Sequence, residues 1–446
     1  MSKSFGSGWT GAFMLLLGAT AAQAAAQTAP APSAQEVAAP IAIAVPYMPT
    51  PAPAMTQAGP TESLGRQVAE VVAADLGSSG LFSALGPEGL AAVTPAQVNA
   101  PNFRHWSGTG VRALVQGFVE ANPDGTLTVG CYLYDVSAKA ELARQGFAVQ
   151  PGQWRRAAHK CADAVYSRFT QQGGYFDTRI VYVAETGPKD RRTKRLAIMD
   201  RDGANHRFLT DGSSTVLTPR FAPDQQSVVY MSYAGGRPRA FIYDLASGQE
   251  RPLVDQPDST FAPRFSPDGR WVVFSMSVNG NSDVYRVAVS GGVPQRLTDT
   301  AGIDTGGSYS PDGSKIVFES DRGGSQQLYV MNSDGSDQRR ISFGSGRYGT
   351  PVWSPKGDLV AFTRMGPEGF RIGVMTPEGG GEKILTKAWQ DEGPSWSPNG
   401  QVLAFFRTDI GSGRTGLWAV DLSGANERRI ATPQDGSDPS WSPLLP

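Results

Sequence analysis

One short pattern returns six times along the chain: Pro or Gly, a variable residue, an aromatic, Ser or Ala, then Pro. Its copies occupy residues 219–225, 263–269, 307–313, 351–357, 394–400 and, truncated, 439–443. The second prolines are Pro223, Pro267, Pro311, Pro355, Pro398 and Pro443, so the spacings are 44, 44, 44, 43 and 45 residues. A fixed period of that size means stacked supersecondary units, each burying its apolar face against the next.

Three further segments repeat inside each period. An apolar strand follows the anchor pattern, at 227–232, 271–275, 315–320, 359–364 and 402–407. A second ends in a turn, as at 328–335 and 417–424, and a third is short, as at 295–298, 339–342 and 383–386. Four short strands per repeat are the make-up of a propeller blade. Only Leu444, Leu445 and Pro446 follow the last anchor, while Ile180 to Val183 has the partner strand's pattern with no anchor before it. Pairing the C-terminal strand with 179–183 closes a ring of six blades and removes the unpaired edges of an open array. The anchor's Ser-Pro-Asp-Gly is turn chemistry, with Pro at the second turn position and Gly where positive φ is wanted. Its aromatics (Phe221, Phe265, Tyr309, Trp353, Trp396 and Trp441) are expected to supply buried surface between blades.

Upstream of the array the text is different. Residues 1–26 read as an export signal, with Lys3, an apolar run from Ala12 to Leu17, and Ala22-Gln23-Ala24 as a small-residue cleavage site. The run is too short to anchor in a bilayer, so no membrane span is expected in the mature protein. Residues 27–40 form an Ala/Pro-rich segment too poor in large apolar side chains to fold alone. An α+β domain is expected over 41–172: a strand at 41–47, a helix from Thr61 to Gly77, strands near 81–85, 111–119, 127–136 and 141–149, and a helix over 153–170. Residues 87–110 read as loop with at most one helical turn. The propeller then runs from 178 to 446, giving a two-domain chain, α+β followed by all-β.

Cys131 alternates with Leu127, Val129 and Leu133 on a strand, and Cys161 shares a helical stripe with Ala158 and Val165. An oxidising compartment and a helix on that sheet leave a disulfide and two buried free thiols both open.

The chain's 40 basic and 41 acidic residues give a formal charge of -1, which supplies no electrostatic case for nucleic acid. No Gly-x-Ser-x-Gly elbow occurs, and the three histidines, His105, His159 and His206, fall on separate elements. His159, beside Lys160, reads as a surface residue. Residues 200–205 and 334–337 resemble fragments of calcium loops but lack the twelve-residue ligand pattern, and Asp and Gly are expected at turns anyway. No catalysis, cofactor or metal is expected. The remaining alternative is a propeller that binds a small ligand, or acts as a hydrolase, at its funnel.

Binding residues concentrate in loops on a rigid scaffold. Segments just before the anchors share one topological position and should ring one mouth; Arg347, Tyr348, Trp389, Asp391 and Glu392 look exposed there.

The small α+β domain, the junction Gly-Tyr-Phe-Asp-Thr-Arg-Ile-Val-Tyr-Val at 174–183, and six blades ending in Pro-Ser-Trp-Ser-Pro resemble the TolB family, the periplasmic component of the Tol–Pal envelope system. The resemblance covers about 41–446. It implies a non-enzymatic periplasmic scaffold that binds the lipoprotein Pal at the mouth and TolA, among other envelope proteins, serving outer-membrane integrity and constriction at division. Aligned on the anchors, the family's Pal contacts fall at Ser259, Thr260, Ala262 and Thr305, and the mouth adds Arg347, Tyr348, Asp391 and Glu392. Ser259 stands where the family commonly has His. TolA would be reached through the N-terminal segment; because 25–39 has little strand propensity, the contact is expected around Glu36 and Val37.

Overall fold

The structure is a computed structural model and describes residues 39–255 and 258–445. The expected export signal, Glu36 and Val37 lie outside these residues.

The first layer of structure is a five-stranded sheet, in spatial order Phe82–Leu85, Ile41–Ala44, Ala113–Ala121, Leu127–Asp135 and Ala140–Val149. The first two pairings are parallel and the last two antiparallel. Helices α1 (Thr61–Ser78) and α4 (Trp154–Thr170) cover one face. Their apolar stripes, including Leu64, Val68, Val72 and Leu76 on α1 and Ala158, Cys161 and Val165 on α4, meet Val115, Val129 and Leu133 of the sheet. Cys131 and Cys161 are joined across this contact, with Cα atoms 5.6 Å apart.

The region read as loop, 87–110, contains two short helices, α2 (Pro95–Asn99) and α3 (Phe103–Gly108). They form because caps serve them: Thr94 and Gln97 make a capping box, and Asn102 accepts the His105 N–H. Trp106 of α3 then packs on the second face of the sheet with Leu114 and Tyr134.

His159 is not at the surface. It is 1% exposed, and its Nδ1 lies 2.6 Å from an Asp75 carboxylate that is equally buried. The charged neighbour Lys160 misleads because helical phase, not adjacency, sets burial; His159 falls beside Ala158 and Ala162 on the face toward α1.

Six four-stranded sheets follow, arranged as a propeller. Strand Asp435–Trp441 pairs antiparallel with Arg179–Thr186, Ser437 opposite Val183 and Trp441 opposite Ile180, so the last strand completes the first blade. We number the blades I (this closing blade) to VI in chain order. Every innermost strand runs from one mouth of the ring to an anchor turn at the other end. There the anchor works as expected: the Ser266 hydroxyl donates to Asp268 and accepts the Trp271 N–H at 2.9 Å, and Gly269 takes φ +69°. Anchor aromatics fill the seams. Phe221 packs on Val181 and Val183 of blade I, and Trp396 on Ala361 and Ile372 of blade V.

The α+β domain sits on the anchor-turn end, against blades I, V and VI. Asn399 and Lys356, both in anchor turns, bond Gly173 and Gln172; Asn426 bonds Ser78. The junction is held rather than slack. Asp163 of α4 accepts the consecutive N–H groups of Tyr175, Phe176 and Asp177 at 2.6, 2.7 and 3.0 Å. Gly174 permits that approach, since a Cβ there would lie 2.2 Å from the Asp163 carboxylate. Tyr175 and Phe176 are buried, and one apolar cluster runs from the sheet through them to Trp441 and the seam of blades VI and I.

Candidate functional site: the open mouth of the propeller

With one end of the ring occupied by the first domain, the opposite mouth is where the innermost strands begin. The segments expected to be loops there are the strands themselves: Ser259–Phe265, Asp304–Tyr309, Arg347–Trp353 and Asp391–Trp396. Each innermost strand breaks register once, at Thr218, Ala262, Gly306, Thr350, Gly393 and Asp438. All six take positive φ, between +48° and +69°. This is one bulge repeated in every blade, and it aims backbone groups around the axis. The Thr350 N–H, for example, donates to Glu319 at 2.8 Å and the Thr218 N–H to Asp438 at 3.2 Å.

Because these segments are strands, their side chains alternate, and three expected mouth residues face inward. Thr260 is buried and accepts the Ala240 N–H at 2.8 Å. Tyr348 is buried against Phe362, its hydroxyl 3.0 Å from Glu382. Asp391 is buried and takes Arg407 in a bidentate pair at 2.6 and 2.9 Å. Reading Tyr348 and Asp391 as exposed was therefore wrong; the period-2 alternation of the strand turns them into the seams between blades.

The others line the mouth. Ser259 and Ala262 are partly exposed, and Arg347 is exposed. Thr305 is also buried, at 9% exposure, and lies on the axial side with its hydroxyl donating to Glu319 at 2.8 Å. Glu392 also faces the axis. Burial raises its pKa, and the nearby carboxylates of Asp438 and Asp391 add to the rise against a hydrogen bond from Gln390. Deeper along the channel stand two guanidiniums, Arg220 and Arg264, both with pKa lowered, chiefly by desolvation.

The sequence reading named Trp389 of the apolar rim and passed over the rest. Of the ten exposed large apolar residues among those described, five (Tyr233, Ile303, Phe343, Trp389 and Ile410) sit in loops on this mouth face. Phe343 is 70% exposed and Trp389 56%. Trp389 and Ile410 border a cleft of about 510 Å³ that also contains Arg407, Arg414 and Trp418. Phe343, in Ser-Phe-Gly-Ser-Gly, was findable: a large aromatic in a Gly/Ser loop has no local core to join.

The histidines do not converge on this mouth. His105 lies in α3, and His206 follows the third strand of blade I at the anchor-turn end, its pKa lowered by burial. His159 Nε2 has no hydrogen-bond partner, so the Asp75–His159 pair carries no nucleophilic hydroxyl. Asp334 spends its carboxylate on the N–H and hydroxyl of Ser336, a turn role.

Comparison with known proteins agrees with this architecture. The TolB amino-terminal domain matches residues 34–142 and the TolB beta propeller domain residues 166–445. A Tol-Pal system protein TolB from Zymomonas mobilis is 70% identical over 91% of this chain and 89% of its own length. Another, from Rhizorhabdus wittichii, is 70% identical over 92% and 93%. The crystal structure of TolB from Acinetobacter baumannii superposes with a TM-score of 0.78 at 28% identity, covering 91% of this chain and 97% of that one. With both domains matched in order and both sheets and blades in place, this chain belongs to the TolB family.

Proposed function

We propose that this chain is a non-enzymatic binding component of the Tol–Pal system in the periplasm, docking the lipoprotein Pal on the open mouth and reaching TolA through its N-terminal segment. Through these contacts it serves outer-membrane integrity and constriction during division. The observation that supports the reading best is the apolar rim: five large exposed side chains sit around a mouth whose strands are paired into closed four-stranded blades. An aromatic-studded rim with Arg347 and Glu392 among its polar members is the composition of a protein-binding patch. Among the described residues no helix is long and apolar enough to cross a membrane.

The test is affinity capture from envelope extract. The protein recovers Pal, and Thr305→Arg, which places a bulky cation on the axial side of the mouth, cuts recovery severely. Recovery by the variant equal to that of the unaltered chain rejects this site assignment. Deleting residues 27–40, around Glu36 and Val37, is expected to remove TolA from the captured set while Pal remains.

A further inference from the structure

The seam between the two domains contains a second constellation. Asp200 and Asp202 come from blade I, at the end of strand Thr193–Asp200 and the turn after it, and His159 from α4. One potential ligand atom from each lies within 4.8 Å of the others. Acidic residues at a turn are ordinary, but the histidine is not. Its Nδ1 is committed to Asp75 at 2.6 Å, which leaves Nε2 directed toward Asp202, 3.6 Å away, with no hydrogen-bond partner although the side chain is buried. Asp75 is itself fixed by the Arg201 guanidinium at 2.5 Å. A carboxylate holding one imidazole nitrogen so that the other faces outward is the support metal-ligating histidines receive.

The remaining contacts are compatible with a third participant. Asp202 Oδ2 accepts Arg155 through both Nε, at 2.9 Å, and Nη2, and its Oδ1 accepts the Ala204 N–H at 3.1 Å. Asp200 accepts only the Asn205 amide, at 2.6 Å, and forms no salt bridge among the described residues. Zinc-class ions bind His nitrogen and carboxylate oxygen at about 2.0–2.2 Å, so ligand atoms sit about 3.3 Å apart in a tetrahedral site. The 3.6 Å between His159 Nε2 and Asp202 is already near that spacing, and Asp200 needs only a small swing.

We propose that His159, Asp200 and Asp202 form a site for a divalent transition ion of the zinc class, with water in the fourth position and Asp75 orienting the imidazole. The ion takes the place of a proton on Nε2. Because the ligands come from both domains, occupancy ties α4 to blade I.

The test uses the full chain, without an added histidine tag, stripped by chelation and titrated calorimetrically with zinc chloride. One ion binds per chain, cobalt(II) gives the visible bands of a tetrahedral N/O site, and magnesium does neither. Asp200→Asn, which keeps an acceptor for Asn205, weakens zinc binding at least tenfold while the unfolding midpoint of the metal-free protein stays within a few degrees. Absence of saturable zinc binding to the unaltered chain overturns the proposal. So does equal affinity in Asp200→Asn and Asp202→Asn, which would assign the zinc to His105 or His206 and leave the seam an ion pair only.

Discussion

The carbonyl of Trp389 accepts the backbone N–H of Phe370 at 2.7 Å, and Gly369 sits so close that a Cβ there would lie 2.0 Å from the same oxygen. A hairpin tip of blade V thus clamps the backbone of a loop whose indole is mostly exposed, so Trp389 is presented with little left to order on binding. Trp389→Ala should weaken Pal binding by about 2 kcal/mol, the scale of an aromatic hot spot, and leave the unfolding midpoint unchanged. Gly369→Ala, at φ +98°, should lower both affinity and stability. Calorimetric titration beside thermal unfolding separates the two; a Trp389→Ala variant with unaltered affinity removes the indole from the interface.

The junction between domains makes stability depend on pH. Burial pushes the Asp163 carboxyl up to about 6, against the opposing hydrogen bonds from Phe176, Asp177 and Tyr175. Unfolded Asp titrates near 3.9, so the folded chain binds the proton more tightly. The contribution is therefore present in full below about pH 4 and is lost as pH rises through about 6, by about 3 kcal/mol at the upper limit. Asp163→Asn should flatten this part of the stability profile between pH 4 and 6.5. Denaturant unfolding across that range is the measurement, and an unchanged slope in the variant refutes the assignment.

The contrast between these two sites explains what the sequence could convey. The anchor motif was legible because it repeats: Pro223 to Pro443 impose the period, and the short text after Trp441 implies closure onto Ile180. The mouth was harder, because reading 258–262 and 346–350 as loops ignores that the bulge at Ala262 and Thr350 interrupts a strand without ending it. Alternation through those bulges decides that Tyr348 is buried and Thr305 axial, and no local pattern announces a bulge at a non-glycine residue. Asp75 carried a usable signal. An acid on the stripe of Val68, Val72 and Leu76 must have a buried partner, and that partner is His159 with Arg201.

The disulfide offers a prediction confined to one domain. Cys131 and Cys161 are 30 residues apart and tie strand Leu127–Asp135, next to the central strand of the sheet, to α4. Closing a loop of that length in the unfolded chain is worth about 3–4 kcal/mol on the chain-entropy account. Replacing both cysteines with Ser should lower stability by that order, seen as earlier hydrogen exchange in the strands and helices of residues 41–170. Exchange in blades III and IV, remote from the seam, should not change.

Asp391 and Arg407 set the last test, because the strand geometry changes what a substitution at this mouth position means. The Asp391 side chain is buried, and Arg407 also reaches Glu427 at 2.7 Å while stacking on the Trp418 ring at 4.3 Å. Removing the acid strands a mostly buried guanidinium with one remaining partner, and breaking a buried pair from one side costs about 3–5 kcal/mol. Asp391→Ala should therefore lower the unfolding midpoint by several degrees, and any loss of Pal capture should follow the loss of folded protein. Asp391→Ala with Arg407→Met, which removes both charges and fills the seam, should recover most of the stability. Were the single variant fully stable yet unable to capture Pal, Asp391 would have to be a contact residue, and the alternation that assigns Thr305 and Glu392 to the axis would be in error.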